Sequence, residues 1–161
     1  MKFSHLLVTV SVVGLLGVVV QAHDKNTSLN DEQKTFLAQY ESVRAALATD
    51  DLPAAKKAAA SITTGSKSGE QMQATPDQAA KQAAFAETMK KLTAADSLKT
   101  ARDAFKQLSK RAVHFAEGKP GYYVAHCPMV ENNEGDWVQT TKKISNPYLG
   151  TEMPTCGTIK G

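Results

Sequence analysis

The chain has 161 residues, 42% of them hydrophobic, and a formal net charge of +3 from 19 basic and 16 acidic residues. That length suits one domain once a leader is removed and falls short of two. Charge this close to balance, with no basic block interleaved with aromatics, argues against nucleic acid as a partner.

The first 22 residues read as a signal peptide. Lys2 supplies a positive start, Leu6 to Val20 carries no charge, and Val20-Gln21-Ala22 places small or moderate residues where a signal peptidase inspects the chain. Cleavage is expected after Ala22, which makes His23 the mature N-terminus of an exported protein. The apolar run is about fifteen residues, under the ~20 that a spanning helix needs. No membrane span is expected in the mature chain, and no Cys follows the cleavage point as a lipoprotein requires. A free amine beside the His23 imidazole is a minor Cu(II)-chelating candidate.

Residues 23–30 are polar and are expected to form a flexible arm, and 31–161 a single domain. Phe36, Leu37, Tyr40, Val43 and Leu47 recur at helical spacing behind Ser28, Asn30 and Asp31 as N-cap candidates, so one helix should run to about Ala48. Thr49-Asp50-Asp51 interrupts it. Pro53 suits the first turn of a second helix that continues through Ala54 to Ile62. Thr63 to Thr75, with Gly65, Ser66, Ser68 and Gly69, reads as a loop. Thr75-Pro76 then begins a third helix with Ala79, Ala83, Phe85, Ala86, Met89 and Leu92 on its stripe. A fourth starts at Asp96 or Ser97 and carries Leu98, Ala101, Phe105, Leu108, Ala112 and Phe115 until Gly118, Pro120 and Gly121 stop it. Four helices with short connections predict a mainly α fold, an antiparallel four-helix bundle over 31–118. The tail, 119–161, is expected to dock on it as an irregular, Cys/Met-rich cap with a β-hairpin. Tyr122-Tyr123-Val124 would be its outgoing strand, Glu131 to Asp136 its turn and Trp137-Val138-Gln139 its return.

The tail gathers the unusual chemistry: both cysteines, two of five methionines, the one tryptophan and three of four tyrosines. Cys127 and Met129 stand two apart and share a face of an extended segment. Met153 and Cys156 are three apart in a Pro-containing turn. Two thiols and two thioethers form a soft donor set suited to Cu(I). His126 adjoins the first pair, but alternation turns it to the opposite face. The same cysteines support another reading, a Cys127–Cys156 disulfide closing a loop of about thirty residues and contributing roughly 3–4 kcal/mol. The two readings exclude each other at any moment, because an oxidised pair offers no thiolate. Met129 and Met153 equally read as gap-fillers beside the aromatics, and Trp137, Tyr122, Tyr123 and Tyr148 as a small core of the cap itself. His114, beside Phe115, reads as an ordinary helix histidine. No Ser/His/Asp or Cys/His set and no Gly-rich phosphate loop has supporting context, so an enzyme is not expected.

Tyr123, Cys127-Pro128-Met129, Trp137, Ile144, Asn146-Pro147-Tyr148, Gly150, Met153 and Cys156-Gly157 form a spaced string, with a weaker one at Arg102, Phe105, Leu108 and Ser109. Through these residues the chain, from about Leu29 to Gly157, resembles a small exported domain of formally unknown function. That domain occurs alone or fused to periplasmic adaptor subunits of copper and silver efflux pumps. It departs from the family at His126, where Tyr or Phe is common, and in lacking an aromatic neighbour before Trp137. The resemblance implies a helical bundle with a Cys/Met-rich tail in the periplasm, engaged in copper handling. Cys127, Met129, Met153 and Cys156, with His126, would then bind Cu(I) and pass it to an efflux adaptor or a metallochaperone. The alternative is a disulfide-stapled structural or interaction module without metal.

Overall fold

The computed structural model describes residues 28–62 and 75–160. The expected signal peptide, the His23 terminus, the arm as far as Thr27 and the loop over 63–74 lie outside the described residues. What is described is mainly helical, with four helices followed by a small three-stranded antiparallel sheet.

Helix α1 spans Asp31–Ala48 and begins in a capping box, in which Asn30 and Gln33 satisfy each other's backbone N–H groups. Leu29, expected in the arm, instead packs partly buried against the core. Helix α2, Leu52–Ser61, is capped by Asp51. Helix α3, Pro76–Ala94, starts from a Thr75–Gln78 box, and α4, Leu98–Ala116, from a Ser97–Thr100 box. The expected starts agree because Ser, Thr, Asn and Asp side chains accept from the free N–H groups of a first turn. Helix α1 packs on α2 and α4, and α3 on α4 and α2.

The stripe expected on α3 holds over only half its length. Met89 and Leu92 are buried and Phe85 partly so, but Ala79, Ala83 and Ala86 are exposed. Helix α2 has ten residues against nineteen in α3 and cannot cover its first turns. Periodicity in alanines specifies a face without supplying enough apolar area to draw a partner onto it.

Beyond α4 the chain forms β1 (Tyr123–His126), a 3-10 turn (Glu131–Asn133), β2 (Asp136–Gln139) and β3 (Thr158–Ile159), in the order β2-β1-β3. The hairpin pairs Val124 with Val138 and Ala125 with Trp137. Asn132 and Asn133 both take left-handed backbone in its turn, a conformation asparagine tolerates. Strand β3 lies outside the predicted elements.

The aromatics expected to form a core of the cap alone are instead continuous with the helices. Tyr40 stacks on Phe105 at 5.1 Å, Phe105 meets Tyr148 at 5.8 Å, and Tyr148 meets Trp137 edge-on at 6.1 Å. Tyr122 and Tyr123 remain half-buried at the margin. The Tyr40 hydroxyl is hydrogen-bonded to Ser109 Oγ at 2.9 Å and accepts the Val138 N–H at 3.2 Å, tying α1, α4 and β2 together. Burial pushes its ionisation far up, so it stays neutral.

Arg102 on α4 latches the remaining tail. Its Nε donates to the Pro147 carbonyl at 2.9 Å, and its Nη2 to the Leu47 carbonyl at 3.1 Å and to the Asp50 carboxylate. Asp50 also accepts the Thr151 N–H at 3.0 Å and its hydroxyl. Gly150, with φ of +53°, passes so close that a Cβ would overlap both Asp50 and Arg102.

The Thr151 hydroxyl above all holds the Asp50 carboxyl below its ordinary range; desolvation opposes it, and the Thr151 N–H and Arg102 add to the lowering. A carboxyl depressed in the folded state contributes fully above its unfolded value of about 3.9 and loses that contribution as pH falls through the folded value. Asp50→Asn, which keeps a residue tolerant of the left-handed backbone found there, is expected to unfold at lower urea than wild type near pH 7. The gap should close as pH falls below about 4. A gap that stays constant to lower pH would remove the Asp50 charge from the latch.

Candidate functional site

Two turns of the tail, one following β1 and one over 146–157, carry the sulfur-bearing residues. The first follows β1. Cys127 donates its N–H to the Gly135 carbonyl at 3.0 Å and accepts the Val130 N–H at 3.4 Å. Gly135 packs so tightly on the Cys127 carbonyl that a Cβ would overlap it. This holds Cys127 fully buried, while Pro128 and Met129 turn outward and leave Met129 64% exposed.

The second turn is built on Asn146, whose side chain is fully buried. Its Oδ1 accepts the N–H groups of Tyr148 and Leu149 at 2.8 and 3.0 Å, and its Nδ2 donates to the Cys156 carbonyl at 2.8 Å. Its own N–H reaches the Pro154 carbonyl at 2.9 Å, and its carbonyl accepts the Gly150 N–H at 3.1 Å. Cys156 in turn donates its N–H to Met153 at 3.2 Å. Gly157, at φ of +129°, lies against the Trp137 ring and the His126 carbonyl, with no space for a side chain. Met153 projects outward, 41% exposed.

Cys127 and Cys156 are free thiols on neighbouring stretches, because His126 pairs with Thr158 where β1 meets β3. The nearby Cys127 thiol, with lesser help from desolvation, pushes the Cys156 thiol above its ordinary pKa. The Met129 N–H works in the opposite direction. The first turn therefore lies beside the second.

The gap-filling reading of the methionines does not hold: Met129 and Met153 are the large hydrophobic side chains that stand exposed among the described residues. His126 has another commitment. Its Nδ1 is 2.7 Å from Asp136 Oδ1, and Lys160 Nζ donates to the other carboxylate oxygen at 2.6 Å. Partial burial raises the Asp136 carboxyl, but Lys160 and His126 outweigh it and hold it below its usual range. Strand alternation turns this trio to the face opposite Cys127. His114 is exposed, with its ring 5.7 Å from that of Phe115.

Among the described residues no three His, Cys, Asp or Glu side chains gather as a group able to hold a metal ion. A metal on the two thiols must take further donors from the thioethers or from a partner. Two thiolates with thioethers nearby fit a soft monovalent ion and suit Mg or Ca poorly. Also among the described residues, no helix is long and apolar enough to cross a membrane.

Three supports of the site were not assigned by sequence reading: the Asn146 amide, the Asp136 carboxylate and the buried Gln139. Gln139 Oε1 accepts the Trp137 indole N–H at 2.9 Å and the Ser145 N–H at 3.3 Å, while its Nε2 donates to the Thr141 and Lys143 carbonyls at 2.6 and 2.9 Å. Asn before Pro signals a turn, but nothing in that signal says the amide will be buried.

A family model described as a protein of unknown function (DUF3347) matches residues 36–120, more than half of the chain. The match covers most of α1 and all of α2, α3 and α4, and ends before β1. No curated protein and no solved structure matches.

Asn146→Ala strands the Cys156 carbonyl and two N–H groups and is expected to cost roughly 2–4 kcal/mol in urea unfolding. A loss within about 0.5 kcal/mol, as at an ordinary surface position, would show that the amide is not the tie between the turns.

Proposed function

The chain belongs to the DUF3347 family of proteins of unknown function, and we propose that it is an exported, periplasmic soft-metal binding protein. It captures Cu(I) passively and passes it on by ligand exchange in copper or silver homeostasis or efflux. The observation that carries this reading is the placing of Cys127 beside the Cys156 turn by the β1–β3 pairing, together with two methionines that are exposed where methionines ordinarily fill cores. Cu(I) is the cargo. It displaces the thiol protons, and the thiolates with the Met129 and Met153 thioethers supply the soft donors it prefers. His126 serves the sheet through Asp136 and is at most an outlying ligand.

Exposure of the thioethers suits transfer. A donor that reaches solvent can be exchanged one at a time for a donor of an efflux adaptor or metallochaperone, without opening the core. The helices act as the scaffold, an antiparallel four-helix bundle whose α4 carries the tail through Arg102, Phe105 and Ser109. No substrate bond is made or broken, so the protein is not an enzyme in this reading.

The same placing of the thiols favours a second reading, a disulfide-stapled structural or interaction module. The methionines discriminate between the two. If metal capture is right, reduced protein competes with a chromophoric chelator for Cu(I), and Met129→Leu and Met153→Leu each weaken binding at least about tenfold, the smallest loss seen for outer-shell partners. Their circular dichroism should stay unchanged. If the staple is right, the leucine variants behave as wild type, and Cys127→Ser or Cys156→Ser lowers stability by roughly 2–4 kcal/mol under oxidising conditions.

A further inference from the structure

The two thiols are unequal in a way that metal capture does not require. Cys127 is fully buried at the end of β1, whereas Cys156 keeps part of its surface in solvent. Both cysteine backbones are held: Cys127 through Gly135 and Val130, Cys156 through Met153 and Asn146. The pairing of His126 with Thr158 sets the two turns side by side and makes the thiols neighbours, so joining them is a local adjustment of two anchored turns.

We infer that Cys127 and Cys156 form a dithiol–disulfide couple that low-molecular-weight disulfides close in a fixed order, with Cys156 attacking first and Cys127 resolving. The Cys156 thiolate attacks one sulfur of the external disulfide, whose S–S bond breaks and releases one small thiol. That thiol carries away the proton Cys156 gave up. Cys127, adjacent and shielded from the external reagent, then attacks Cys156 Sγ and expels the second small thiol, which takes the Cys127 proton. The protein has lost two electrons and two protons, and the external disulfide has been reduced to two thiols. Closure removes both thiolates from the soft-metal site, so that oxidation would release captured Cu(I) and reduction restore the site. This last step rests on the metal-capture reading above, whereas the order of attack rests on burial and placement alone.

The experiment uses the reduced mature protein, hydroxyethyl disulfide as the probe and intact-mass spectrometry as the readout. Wild type is expected to lose two hydrogens without accumulating an adduct. Cys127→Ser should hold one mercaptoethanol adduct, mapped to Cys156, and Cys156→Ser should react at least about 100-fold more slowly than Cys127→Ser. Equal reaction of the two variants, or a wild type that accumulates adducts on both cysteines, overturns the order. Wild-type kinetics decide the matter even if a variant folds poorly, because the fixed order requires a transient adduct on Cys156 and none on Cys127. Cu(I) competition is run in parallel on reduced and on closed wild type. Binding only when reduced supports the gate, and equal binding by both forms overturns it. Failure of the reduced form to bind removes the metal reading and with it the gate, while the adduct order still stands or falls on its own masses.

Discussion

The buried amide of Asn146 holds together a part of the chain that has almost no regular structure. Between Thr140 and Gly157 there is neither helix nor strand to pair backbone groups, and a buried irregular segment is stable only if each polar group finds a partner. Asn146 meets this demand with both ends of its side chain and both of its backbone groups. One residue thereby closes the 146–150 turn and clamps the Cys156 carbonyl. Gln139 does the same for residues 141–145. The position of the second cysteine follows from these amides more than from any apolar contact of its own.

The latch around Arg102 carries that order to the helices. A guanidinium can serve several acceptors in fixed directions, and here it joins the end of α1, the Asp50 carboxylate and the Pro147 carbonyl. Arg44 adds a bond to the Ser145 carbonyl at 2.9 Å while paired with Glu41. With Phe105 under Tyr148 and Ser109 on Tyr40, α4 is a platform whose tail-facing side is partly polar by design of the contact. The family match runs over these helices and ends at residue 120, ahead of both cysteines.

How legible this was depends on how local each determinant is. Helix starts at Asn30, Asp51, Thr75 and Ser97 were readable because a cap is decided within four residues. The stripe of Phe36, Leu37, Tyr40, Val43 and Leu47 was readable because large side chains at helical spacing have one buried solution. The alanines of early α3 were misleading for the converse reason, since their small side chains specify no partner. The hairpin was legible from its Asn/Gly turn, whereas β3 was not. Two residues of strand acquire meaning only from the edge of β1 they meet.

The sequence by itself determined the helices, the hairpin and the set of sulfur-bearing side chains in the tail, because these follow from residue type at short spacing. Only the tertiary structure decided which of them lie together. It put Cys127 beside the Cys156 turn across twenty-nine positions of chain, left Met129 and Met153 exposed, and gave His126 to Asp136. Those outcomes depend on buried amides and one guanidinium whose partners lie far away in sequence, and no local pattern encodes a bond to a distant backbone carbonyl.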